Sequence, residues 1–304
     1  MDDPRILVIR PGALGDTVVT EPVVAALRAG YPQARIELAG RTDYLPLLLG
    51  PNLADACISG DSSGLTSLFA AGPLKLPPCD IVLAFLPDPD GALLARLHTC
   101  SDVAVVFDPR PAEGVAVHIV DHLLGALDPL GVRAVRNQPR LACAGGWRDA
   151  ARALRPRGDY AAIHPGSGGR AKLWRPEGWR EVVAALDLLD VVMTAGPADE
   201  RTVTDVLAQV GGSSHVSVVR DRPVTTVAGL LAGANFFLGC DSGVAHLAAA
   251  LGVPTVALFG PTDPGVWAPR GPAVRILAGS GSSTGAIPPS DVLAAVRSLR
   301  GAVD

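Results

Sequence analysis

Short apolar, β-branched runs alternate with longer runs of helical period along the whole 304-residue chain. In the first half the short runs are RILVIR (5–10), RIELAG (35–40), DACIS (55–59), DIVLAFL (80–86) and DVAVVF (102–107), all read as strands. Helix-like stretches fall between them at 17–29, 91–98 and 118–130. Residues 133–146, RAVRNQPRLACAGG, carry no period and are read as a linker, followed by a connecting helix at 147–155. The alternation then restarts. Strands are predicted at 159–165, 188–196, 215–219, 234–240, 254–260 and 273–278, and helices at 177–186, 199–209, 224–232 and 243–251. A flexible loop at 278–289 and a last helix at about 290–300 complete the pattern. Near-continuous apolar strands joined by helices predict parallel sheets covered on both faces. Two such series predict an α/β protein of two Rossmann-like domains, 1–146 and 147–304, with the active site in a cleft between them at the carboxyl ends of the strands.

Composition narrows the class. Apolar residues make up 48% of the chain and charged residues 18%, enough to bury large cores. No apolar run approaches the ~18–20 residues of a membrane helix, and MDDPR lacks the basic start of a signal peptide. A soluble cytoplasmic protein is expected. The formal charge of −4 argues against a nucleic-acid partner. The charge is uneven: residues 1–150 hold 12 Lys/Arg and 17 Asp/Glu, a balance of −5, and residues 151–304 hold 14 and 13, a balance of +1. The five cysteines are scattered with no C-x-x-C, so they are expected to be buried small hydrophobes. Lys75 and Lys172 are the only lysines, against 24 arginines.

Three stretches carry candidate chemistry. In LGCDSGVAHLAAALGVPTVALFGPTDP (238–264) a strand ends at Cys240 and Asp241 or Ser242 can cap the helix that follows. Gly243 lets a ligand approach the backbone, and the free N–H groups of the helix start favour an anion. Ser242 and His246 share one helix face, so His246 can donate to a phosphate oxygen; the competing reading is a buried core histidine. In IHPGSGGRAKLWRPEGW (163–179), Ser167 and the backbone around Gly166, Gly168 and Gly169 can form an anion nest. Lys172 adds positive charge where a leaving diphosphate would develop negative charge, with Arg170 as the alternative. The third stretch, RPGALGDTVVTEP (10–22), is a strand-to-helix turn whose Asp16 reads either as a helix cap or as a general base.

These segments together resemble the ADP-heptose glycosyltransferases, glycosyltransferase family nine. The opening RPGALGDTVVTEPVVAAL is similar to that family's N-terminal motif, AGPADE (195–200) to its ribose-side loop, and the run from Asp241 to Gly260 to its most specific signature. The resemblance implies a GT-B fold and an inverting, metal-independent transfer, with no cofactor beyond the ADP-sugar co-substrate. It implies an acceptor-binding N-terminal domain and a donor-binding C-terminal one. Carried onto this chain, it makes Asp16 the general base and Lys172 and Ser167, with the neighbouring Gly168, the contacts to the donor diphosphate. Asp241, Ser242, Gly243 and His246 would hold the donor sugar and phosphates, Asp199 or Glu200 the ribose, and Arg222 the adenine.

One stretch departs from the family. After DIVLAF its lipopolysaccharide enzymes carry a Q-G-L-x-K-S-like run with a lysine for an acidic acceptor, whereas this chain has LPDPDGALLARL (86–97). Asp88 and Asp90 there suit an amine-bearing acceptor, such as an aminocyclitol or aminoglycoside in antibiotic biosynthesis; a lipopolysaccharide core acceptor is the alternative. DPD also has the form of a metal-binding D-x-D, but between prolines it reads as an exposed turn, and no metal ligand set is assigned. A nicotinamide oxidoreductase is disfavoured, because RPGALGD is not G-x-G-x-x-G and no acid ends RIELAG. A sugar-nucleotide epimerase of the same shape and a non-catalytic binding module complete the alternatives. Oligomeric state is not legible.

Overall fold

The computed structural model of the protein describes residues 3–211, 213 and 215–300. The chain divides into two compact units, Met1–Pro139 and Arg140–Asp304. The division falls inside the predicted linker but ahead of the expected 146/147 boundary. The reason is local: the Leu141 amide already donates to the Ala250 carbonyl at 2.9 Å, committing the 140s to the second unit.

The first unit contains β1 (Arg5–Arg10), α1 (Leu14–Gly30), β2 (Arg35–Gly40), β3 (Ala56–Ser59), α2 (Ser63–Thr66), β4 (Cys79–Phe85), α3 (Ala92–Leu97), β5 (Ser101–Phe107) and α4 (Ile119–Leu124). The strands form one parallel sheet in the order β3-β2-β1-β4-β5. Ile6 to Ile9 of β1 are all buried, as a central parallel strand requires. Helix α1 is buried without a break from Thr17 to Leu27, an apolar circumference that only an internal helix can hold. The one acid in that run, Glu21, is paired with Arg136.

The second unit contains α5 (Gly145–Ala151), β6 (Tyr160–His164), α6 (Pro176–Ala185), β7 (Asp190–Ala195), α7 (Glu200–Val210), β8 (Val216–Arg220) and α8 (Val224–Leu231). It continues with β9 (Phe236–Cys240), α9 (Gly243–Ala250), β10 (Thr255–Phe259), α10 (Pro264–Trp267), β11 (Val274–Ala278) and α11 (Pro289–Arg300). Its sheet is parallel in the order β11-β10-β9-β6-β7-β8. Trp174 and Trp179 anchor one face of its core, edge to face at 5.2 Å.

Each predicted strand is present within a residue or two. The differences lie at helix ends and in short turns. Helix α1 starts at Leu14 rather than 17, so Asp16 lies inside its first turn. The stretch 118–130 is not one helix: α4 tightens into a 3-10 segment at Gly125–Leu130, which contains Pro129. The connecting helix is α5, two residues earlier than expected and shorter. The expected flexible loop at 278–289 contains two 3-10 turns, Ser280–Ser282 and Thr284–Ala286, pinned by the fully buried Thr284. Cys240 is buried as expected; Cys57, Cys79, Cys100 and Cys143 are only half-buried. Burial pushes the Cys79 thiol up to about 11 and that of Cys240 up to about 12, which keeps both protonated and unreactive. Among the described residues no helix is long and apolar enough to cross a membrane.

Candidate active site

In an open parallel sheet, ligands bind beyond the carboxyl ends of the strands, where the strand order reverses. The reversal lies between β1 and β4 in the first unit and between β6 and β9 in the second. The loops leaving those four strands are the stretches that the sequence singles out: 10–16 after β1, 86–91 after β4, 164–172 after β6 and 241–243 after β9.

In the first unit the chain turns from β1 into α1 over three residues. Ala13 caps the helix and Asp16 is its third residue, so Asp16 is not itself the N-cap. Its Oδ2 accepts the Ala13 amide at 2.8 Å and its Oδ1 accepts Nη2 of Arg10 at 2.8 Å. A Cβ on Gly12 would fall 2.3 Å from the Asp16 Cβ, so the acid can take this place only because residue 12 has no side chain. Arg10 is buried beneath the turn. Its Nε donates to Thr20 Oγ1 at 3.2 Å and its guanidinium lies 5.7 Å over the Phe85 ring. Burial lowers its hold on its proton and the Asp16 carboxylate opposes that.

In the second unit the loops after β6 and β9 are tied together across the reversal. Lys172 Nζ donates to Asp241 Oδ2 at 2.8 Å, and Ser167 Oγ donates to the Asp241 carbonyl at 2.6 Å. Ser242 is the N-cap of α9, its Oγ accepting the Ala245 amide at 3.4 Å. Gly243 is the first helical residue, so the first turn of α9 opens beside Lys172 and offers amide donors and the positive end of a helix dipole. Gly168 stands in open space: a Cβ there would meet no protein atom. The Lys172 loop is held from below by Trp174, whose amide donates to Cys240 Sγ at 3.4 Å and whose Nε1 donates to the Ile287 carbonyl at 3.1 Å.

Several of the expected contact residues also make hydrogen bonds within the fold. Asp88 receives the Leu93 and Leu94 amides, each at 2.9 Å, and Asp90 receives that of Ala92 at 3.2 Å. The two acids therefore start α3, although its N-cap position is Gly91. Asp88, with Asp108, also lines a hollow of about 260 Å³ at the ends of β4 and β5. Asp199 turns inward. It is buried, its Oδ2 accepts the Gly196 amide at 2.8 Å, and its Oδ1 occupies the place of a Gly166 side chain. Glu200, at the exposed start of α7, is the acid that faces outward, paired with Arg220 at 3.2 Å. Arg222 is exposed just ahead of α8, and His246 is buried in the apolar run of α9.

Sequence reasoning missed Arg10, Trp174 and His164. An arginine ending a strand reads as a solvent-facing terminus, and nothing local shows that it turns inward. His164 Nδ1 lies 3.0 Å from the Thr194 carbonyl, which fixes the proton on that nitrogen. Burial holds its pKa below the ordinary value despite Asp199 at 3.8 Å, so the imidazole is neutral and the contact is not an ion pair near neutral pH.

Comparison with known proteins gives the family and the fold. The chain is 28% identical to lipopolysaccharide heptosyltransferase 3 of Escherichia coli K12, over 84% of this chain and 82% of that one. A glycosyl transferase family 9 structure from Veillonella parvula superposes with a TM-score of 0.81 at 21% identity, covering 98% of this chain and 97% of that one. The E. coli ADP-heptose lps heptosyltransferase II gives 0.79 at 22%, covering 97% and 98%. These solved structures share the two-sheet α/β fold of GT-B type. The family described as glycosyltransferase family 9 (heptosyltransferase) matches residues 111–285, more than half the chain, and the protein is a member of that family.

Proposed function

We propose that this glycosyltransferase moves a heptose from ADP-heptose to an acceptor hydroxyl, with inversion at the anomeric carbon and without a metal. The carrying observation is the Lys172–Asp241 pair beside the first turn of α9, in which the lysine is the accessible member. The donor diphosphate would seat on Lys172, Ser167 and the α9 amides, with Gly168 leaving room for it. Glu200 and Arg222 are assigned to the ribose and adenine, and Asp241, Ser242, Gly243 and His246 to the sugar and its phosphates. Asp16 takes the acceptor proton as the acceptor oxygen bonds to the anomeric carbon. The bond to the diphosphate breaks with its electron pair, and Lys172 meets the charge that forms. The lysine and the helix start supply the countercharge that a metal would otherwise provide.

A specific observation favours a second reading of the acceptor. The amine-bearing class rests on Asp88 and Asp90, whose carboxylates already serve the start of α3. Arg41 and Arg110, both exposed, follow β2 and β5 at the carboxyl end of the sheet and suit an anionic acceptor, in line with the lipopolysaccharide relatives. One assay tests both layers. Protein treated with a chelator is incubated with ADP-heptose, ADP-glucose or UDP-glucose and with cationic and anionic acceptors, and products are read by mass and anomeric coupling. Heptosylation of one acceptor class with inverted configuration is expected. Nucleotide diphosphate released without a heavier acceptor, or loss of activity with the chelator, would overturn the scheme.

A further inference from the structure

We propose that Arg10 is a positioning residue that holds the Asp16 carboxylate in its reactive orientation from inside the first unit. This rests on the reading of Asp16 as the base. A guanidinium buried under a turn is costly unless it is paired and hydrogen-bonded. Here Nη2 donates to Asp16 Oδ1 at 2.8 Å and Nε to Thr20 Oγ1 at 3.2 Å, while Phe85 lies against the guanidinium face. Thr20 closes the arrangement by donating to the Asp16 carbonyl at 2.7 Å. Arg10 and Thr20 therefore grip the acid at both its side chain and its backbone.

Helix capping does not need this arginine. The Ala13 amide already engages Oδ2, and that bond would stand with any residue at position 10. What Arg10 adds is a second fixed point on the other oxygen, so the carboxylate cannot rotate. Each oxygen has one fixed donor and keeps lone-pair capacity for an incoming hydroxyl. Lysine cannot replace the fork, because one ammonium cannot reach Asp16 and Thr20 with the same planar geometry.

The test uses Arg10→Lys and Arg10→Met in the full chain, alone and with Asp16→Asn. Steady-state transfer, ADP affinity and thermal melting are measured. Arg10→Lys is expected to lower kcat about 100-fold, the scale of an ångström-level misplacement of a reacting group. The donor KM and ADP affinity should be unchanged, because the donor contacts belong to the other unit. With Asp16→Asn present, Arg10→Lys should cost nothing further, since the two act as one device. Arg10→Met probes the same point without the charge, and Arg10→Lys carries the test if it fails to fold. Full kcat in folded Arg10→Lys with an inactive Asp16→Asn would overturn the role of Arg10 alone. Full activity in Asp16→Asn would overturn the base assignment and this proposal with it.

Discussion

The turn after β1 and the turn after β9 are built alike and charged in opposite senses. In each, an acid lies at the start of a helix, beyond the carboxyl end of a central parallel strand, and bonds to a cation at 2.8 Å. In the first unit the arginine side chain is 7% exposed and the aspartate 37%; in the second the aspartate is 8% exposed and the lysine 32%. The buried member of each pair neutralises its partner, and in the proposed mechanism the accessible member is the one that meets the substrate. One fold thus presents a carboxylate on one unit and an ammonium on the other, which is what proton removal and departure of a diphosphate respectively require.

The largest effects are expected at the accessible members. Asp16→Asn keeps the shape of the first turn and removes its charge. Transfer should fall about 10²–10⁴-fold while ADP affinity, read by calorimetry, stays as it was. Lys172→Met in the second turn should lower kcat about 10²–10³-fold and, unlike Asp16→Asn, weaken ADP binding. It also leaves Asp241 buried without its cation, so the melting temperature should drop and recover in part when Asp241→Asn is added. If Lys172→Met left ADP affinity intact, the parallel between the two turns would fail.

A smaller effect tests the packing under the first turn. In Gly12→Ala the new methyl meets Asp16 at 2.3 Å and must displace it. A kcat loss of about 10²-fold with an unchanged donor KM is expected. The smallest effect separates capping from binding in the loop after β4. Asp88→Ala should destabilise the first unit by about 1 kcal/mol, the usual worth of such a cap, with the acceptor KM unmoved. A raised KM for cationic acceptors at unchanged stability would instead mark Asp88 as a substrate contact.

The legible part of this molecule is what periodicity encodes. Every strand leaves an apolar signature, and the parallel order follows from the helices between strands. The glycine-rich turns are therefore located by their neighbours, Asp16, Lys172 and Asp241 among them. Side-chain direction at the strand ends is not encoded that way. Arg10 and Arg41 both end or follow a strand, yet one is buried and the other exposed. Lys172 and Asp241 meet across 69 residues, a pairing set by the strand order and not by spacing. The backbone partners of Asp88 and Asp199 are hidden for a related reason. A carboxylate near a helix start has backbone amides within reach, and a single chain offers no local sign of whether they satisfy it before a ligand does.

The fit between Gly12 and Asp16 makes the two positions a single heritable unit. A side chain at 12 collides first with the Asp16 Cβ, so an alanine or serine at 16 would meet it as well, and only a glycine at 16 would clear that contact. The route back to a base then requires two codon changes, the first of which brings nothing without the second. With Asp16 as the proposed base, a lineage that lost this acid would drift away from transfer far more easily than it would return to it.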